Sequence, residues 1–145
     1  MKKLILGMVA LFTLCQVEAA DLTWQTDLPK ALAQAKAEKK LVLLDFTGSD
    51  WCVWCKKLDN DTFAKPQFAT YAQTNLVLVE VDFPNNKPQS DDLKAANAAL
   101  AKKYVVEGYP TLVALKPNGA AIWRTDGYLE GGPAALIAQI DGAQK

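Results

Sequence analysis

The chain has 145 residues with 16 basic and 16 acidic side chains. That length suits one domain with a buried core, and the balanced charge gives no footing for nucleic acid or an anionic membrane surface. Histidine is absent, which excludes histidine acid–base catalysis, histidine triads and His-containing zinc sites.

Met1-Lys2-Lys3 is a basic start, Leu4 to Leu14 an apolar run too short for a comfortable membrane span, and Val17 and Ala19 are small residues at cleavage-determining positions. The expectation is a signal peptide over residues 1–19, cut after Ala19 with Ala20 as second choice, and an exported domain over 20–145. Lipoprotein processing at Cys15 is an alternative, opposed by Leu14 where a small residue is needed; an uncleaved anchor is another. Loss of residues 1–19 removes Lys2, Lys3, Cys15 and Glu18, leaving 14 basic and 15 acidic residues, a net charge of −1 and two cysteines.

Thr26 or Asp27 can cap a first helix with Pro29 in its opening turn, Leu28, Leu32 and Ala35 on one face, and Lys36, Lys39 and Lys40 in its last turn. Leu41–Phe46 reads as a buried strand, Thr47–Asp50 as the turn leaving it, and Cys55–Phe63 as a helix that Lys65-Pro66 breaks. A short further helix runs through Phe68 and Tyr71, and Leu76–Asp82 is the second clear strand. After a polar loop, Phe83–Gln89, Ser90 caps a helix with Asp91 and Asp92 first, Lys102 and Lys103 last, and a stripe of Leu93, Ala96 and Leu100. Thr111–Leu115, the turn Pro117-Asn118-Gly119 and Ala120–Thr125 form a hairpin. Gly131-Gly132 ends the sheet, and Pro133 opens a final helix with Leu136, Ile137 and Ile140 inward. Tyr104, Phe63 and Phe68 are core candidates. Near-continuous apolar strands predict an α/β sheet covered by helices on both faces.

Trp51-Cys52-Val53-Trp54-Cys55 places two thiols one helical turn apart just after a buried strand. A cysteine at a helix's first turn meets free N–H groups and the positive end of the dipole, both of which favour the attacking thiolate. The second cysteine lies over the same face and can close a disulfide with the first. A purely structural bridge is the bland alternative in an exported chain, but closing a four-residue loop constrains the unfolded chain little. Two cysteines cannot complete a tetrahedral zinc site, and no paired carboxylates stand beside them at ligand spacing, so neither a metal centre nor a cofactor is expected.

The chain resembles the thioredoxin superfamily over residues 21–141. The resemblance is carried by Leu43-Leu44-Asp45-Phe46 leading into Trp51-Cys52-Val53-Trp54-Cys55-Lys56, by Val106-Glu107-Gly108-Tyr109-Pro110-Thr111-Leu112, and by Pro117-Asn118-Gly119. Within that superfamily it is similar to exported thioredoxin-like proteins and to the C-terminal thioredoxin-like domain of the transmembrane thiol–disulfide interchange reductase. The resemblance implies a three-layer sandwich with a central mixed sheet, and a Cys-x-x-Cys thiol–disulfide oxidoreductase in the periplasm. It implies that Cys52 is the exposed attacking thiol, Cys55 the more buried resolving thiol, and Asp45 the buried carboxylate that relays a proton. Tyr109 and Pro110 then supply a cis-proline segment that binds substrate beside Trp51, and Trp54 belongs to a partner-contact patch. The family pattern has five residues between Asp45 and Cys52, where this chain has six, so one residue of Thr47–Asp50 is expected to bulge out. The alternative for Asp45 is a strand-end carboxylate bonded to backbone N–H groups.

Val53 and Trp54 bring no charge to the thiol, which predicts a potential nearer about −270 mV, the thioredoxin end, than about −120 mV, the strong-oxidant end. The implied partners are disulfide-containing client proteins and a membrane thiol-transfer protein as electron donor, with the protein itself a monomer. Two other classes stay open: a non-catalytic binding module of the same fold, and a Cu(I) carrier using both thiolates.

Overall fold

The computed structural model describes residues 22–145; the expected signal segment, Cys15 and the cut after Ala19 lie outside them. A strand β1 (Trp24–Gln25) leads into α1 (Leu28–Glu38), β2 (Leu41–Thr47) and α2 (Val53–Leu58), which runs on as one π-helical turn over Asp59–Phe63. There follow α3 (Pro66–Asn75), β3 (Leu76–Asp82), α4 (Asp91–Lys103), β4 (Thr111–Leu115), β5 (Ala121–Asp126) and α5 (Gly132–Gly142). The strands form one mixed sheet in the order β1-β3-β2-β4-β5, with β1, β3 and β2 parallel and β4 and β5 antiparallel.

Local chemistry sets the boundaries. Asp27 caps α1 by accepting from the Lys30 N–H at 3.0 Å, and Ser90 caps α4 by accepting from Leu93 at 3.2 Å. Lys39 ends α1 in a left-handed conformation, so Lys39 and Lys40 lie beyond the helix rather than in its last turn. Gly119 holds the β4–β5 turn at φ +84°, where a side chain is disfavoured.

The period of two in the central strands sorts side chains onto two faces. Leu41, Leu43, Leu76, Leu78, Leu112 and Ala114 meet Leu58, Phe63, Phe68, Leu136 and Ile140 from α2, the π turn, α3 and α5. Val42, Leu44, Phe46, Val77, Val79, Val81 and Val113 face Leu28, Ala31 and Ala35 of α1. Each fully buried Val, Leu, Ile or Phe among them stabilises the fold by roughly 1.5–3 kcal/mol. By the same alternation Asp45 and Glu80 leave the sheet on the first face, beneath α2.

Helix α4 departs from its expected stripe. Leu93 and Leu100 are only half-buried and Ala96 is exposed, while Asn97 is buried and donates to the Asp82 carbonyl at 2.9 Å. The helix stands off from α1 across an apolar groove of about 720 Å3. Ile137 is half-buried, whereas Leu136 and Ile140 are fully buried. Among the described residues no helix is long and apolar enough to cross a membrane.

Candidate active site

The turn out of β2 is built around Gly48. Its carbonyl accepts from the N–H groups of Trp51 at 3.2 Å and Cys52 at 2.8 Å, which reverses the chain into α2. The Trp51 ring lies over Gly48 so closely that a Cβ there would sit 2.5 Å from it. Trp51 is fixed in turn by its indole N–H, which donates to the Phe83 carbonyl at 2.8 Å, and by the edge-on ring of Tyr109 at 5.8 Å.

The turn that carries the extra residue between Asp45 and Cys52 is tied to β3 and to the loop after it. Ser49 donates through N–H and hydroxyl to the Asp82 carboxylate at 2.9 and 2.6 Å, and receives the Lys87 ammonium at 2.9 Å. The Asp50 carboxylate accepts from the N–H groups of Asn85, Asn86 and Lys87 at 2.9, 2.6 and 3.1 Å, and these bonds hold its pKa below the usual carboxylate range. The Asp50 charge is thus taken up by the loop after β3.

Cys52 is the N-cap of α2, and its sulfur accepts the Cys55 N–H at 3.1 Å. The two cysteines are joined as a disulfide with their Cα atoms 5.2 Å apart. The expected contrast in exposure is absent in this form: Cys52 is 5% exposed and Cys55 6%. The cations on α2 are engaged elsewhere, Lys56 with the Asp50 carbonyl at 2.9 Å and Lys57 with Asp61 at 2.7 Å.

Behind the disulfide lies a polar cavity of about 290 Å3 whose walls include Asp45, Cys55, Asp59 and Glu80. Asp45 is buried, and its Oδ1 has no hydrogen-bond partner, so the backbone-bonded alternative for this carboxylate is not what the structure holds. Burial chiefly, then the charges of Glu80, Asp59 and Asp82, push the Asp45 pKa up to about 8.

The Tyr109-Pro110 peptide is cis. The segment is anchored by the Pro110 carbonyl, which accepts from Gly127 N–H at 2.8 Å, and by Thr111, whose hydroxyl donates to the Gly108 carbonyl at 2.8 Å. Tyr109 also stacks on Phe83 with ring centres 5.2 Å apart. Around the cysteines, Trp51, Val53 and Trp54 are exposed by 43, 75 and 56%. Trp54 rests against Tyr128 at 5.6 Å, and the Tyr128 hydroxyl donates to Asp61 at 2.8 Å.

Sequence reasoning overlooked Gly48, Phe83, Tyr128, Asp59 and Glu80. Only Glu80 left a clear mark, as the one charge inside the apolar run Leu76–Val81. Among the described residues no three His, Cys, Asp or Glu side chains gather in a way that could hold a metal ion.

The family described as a thioredoxin-like domain matches residues 28–143. The disulfide bond reductase DsbH of Chlamydia pneumoniae is 36% identical over 129 residues, 89% of this chain and 76% of that protein. The thiol:disulfide interchange protein DsbD of Vibrio cholerae is 37% identical over 98 residues, which are 67% of this chain but 15% of that protein. A solved structure described as DsbH oxidoreductase superposes with a TM-score of 0.82 at 33% identity, covering 94% of both chains. The oxidised C-terminal domain of DsbD from Neisseria meningitidis shares the fold, with a TM-score of 0.59 at 22% identity over 85% of this chain and 99% of that one. With a cysteine pair at the head of α2 and a family match over most of its length, the chain belongs to the thioredoxin-like family and is a thiol–disulfide oxidoreductase.

Proposed function

We propose that the protein works outside the cytoplasm, in the periplasm where the cell has one, as a monomeric reductant of disulfides in client proteins. In the dithiol form the Cys52 thiolate attacks a client disulfide. The client S–S bond breaks, one client sulfur leaves and takes a proton, and a Cys52–client mixed disulfide forms. Asp45 then accepts the Cys55 proton, and the Cys55 thiolate attacks the Cys52 sulfur. The second client sulfur leaves and takes a proton from solvent, so the client has gained two electrons and two protons and Cys52–Cys55 becomes the disulfide. Trp51, Tyr109 and Pro110 supply the edge along which the client chain lies.

The observation that carries the reducing direction is the bareness of the Cys52 sulfur, whose hydrogen-bond contact is the backbone N–H of Cys55, with Lys56 and Lys57 occupied elsewhere. A thiolate so lightly stabilised gives a poor leaving group and a disulfide slow to be reduced by clients, the behaviour of a donor rather than an oxidant. The name disulfide bond reductase given to the Chlamydia relative agrees with this direction. A donor in an oxidising compartment needs recharging, and the likeness to a DsbD segment supports a membrane thiol-transfer protein in that role.

The test is client capture. Cys55→Ala should accumulate mixed disulfides on Cys52 in the exported fraction, and the wild-type protein should reduce insulin where Cys52→Ala does not. An empty trap, in a protein whose Cys52 is alkylated normally, would rule out the client reading.

A further inference from the structure

The cavity behind the disulfide poses a problem of proton traffic. A proton taken from Cys55 by Asp45 lands on a buried carboxylate, 8% exposed, and has to leave before the next turnover. In the parallel pairing of β2 and β3, Asp45 stands directly opposite Glu80. Both project to the face under α2, and both line the cavity with Cys55. Glu80 lines the cavity but is only half-buried, so it remains accessible to solvent where Asp45 is not.

We propose that Glu80 is the outer station of the resolving step, receiving the Asp45 proton through water in the cavity and passing it to solvent. The inference rests on the Asp45 role proposed above. Only O–H and S–H bonds change in this leg: the Cys55 proton moves to Asp45, from Asp45 to cavity water, and from water to Glu80 and out. The electron pair moves separately, when the Cys55 sulfur displaces the client from Cys52. Glu80 acts through Asp45 and is a positioning group, not a catalytic one.

The surroundings suit that task. Burial chiefly, then the charge of Asp82, raises the Glu80 pKa; Lys87 works against the shift and Asp59 adds to it. Asp82 is the neighbour on the same strand, held by Ser49, and Asp45 the neighbour on β2. Asp59 comes from the end of α2, and Lys56 and Lys87 complete the charged lining. The unpartnered Asp45 Oδ1 is the second sign that something polar belongs in this space.

The experiment follows the reduced protein after mixing with glutathione disulfide, with acid quench and mass spectrometry to count the Cys52–glutathione adduct and the closed disulfide separately from pH 5 to 9. Glu80→Gln should slow closure by about tenfold near pH 7, less than the hundredfold or more expected of a group that takes the thiol proton itself. Formation of the adduct should stay within about twofold, Glu80→Asp should close at near the wild-type rate, and added acetate or imidazole should restore the Glu80→Gln variant. Closure by Glu80→Gln within twofold of wild type across the range, or equal slowing of both steps without buffer rescue, would overturn the proposal. Asp45→Asn run alongside separates the two readings: if it also closes normally the Asp45 role falls, whereas slow Asp45→Asn with normal Glu80→Gln removes Glu80 alone.

Discussion

Asp45 is costly to the fold, and that cost is measurable. Its pKa rises from 3.8 to about 8, so the native state holds the proton more tightly than the unfolded chain. Stability is therefore fully present below about pH 4 and falls by about 1.4 kcal/mol per pH unit until the group ionises in the fold near pH 8. Asp45→Asn removes this dependence. Urea titrations should show the variant more stable than wild type at pH 8 by a few kcal/mol, with the gap closing towards pH 4. A parallel pH dependence in both proteins would contradict the burial of an uncompensated carboxyl. Gly48 is the second residue on which the site turns, because the Trp51 ring occupies the space of its missing Cβ. Gly48→Ala has to displace the ring or the backbone at a cost of about 1–3 kcal/mol. Near-ultraviolet circular dichroism of the tryptophans should change with it; an unaltered spectrum and unaltered stability would show that Trp51 is not seated there.

At the scale of elements, the turn after β2 and the loop after β3 form one unit. Asp50 caps three successive N–H groups and Ser49 reaches Asp82, so residues 47–51 and 82–87 are held to each other by side-chain hydrogen bonds. Asp50→Ala should speed amide exchange at Asn85, Asn86 and Lys87 by about tenfold or more while amides of β2 and β3 keep their protection. Exchange at those three unchanged would mean the loop holds itself. The segment leading to Pro110 carries its own strain, since Val105 is β-branched, 66% exposed and held at φ +50°. Arg124 grips that turn by donating to the Val105 carbonyl at 3.0 Å. Val105→Gly relieves the left-handed valine and should raise stability by about 1 kcal/mol, read as a higher melting temperature. None of this was legible beforehand. A valine gives no sign of positive φ, and the two-residue β1 is too short to show a period. The π turn at Asp59–Phe63 hides inside an ordinary helical run. Capping by Asp27 and Ser90 was readable, because the acceptor side chain precedes each helix directly.

For the whole molecule, what could be read in advance followed from strong local signals: mostly apolar runs made β2, β3 and β4, and two spaced motifs announced the cysteine helix and the cis peptide at Tyr109-Pro110. The sheet order and the two-faced core then place Asp45 and Cys55 on the walls of one cavity although a residue has been added between Asp45 and Cys52. What stayed hidden depends on partners distant in sequence, such as Asp45 opposite Glu80 and Trp51 on Phe83, or on redox state, as with the matched burial of the two cysteines. The midpoint potential of the Cys52–Cys55 couple, equilibrated against glutathione at pH 7, tests the proposed reducing direction most directly. The bare Cys52 sulfur predicts a value closer to about −270 mV than to about −120 mV, and a value above about −170 mV would contradict a reductant.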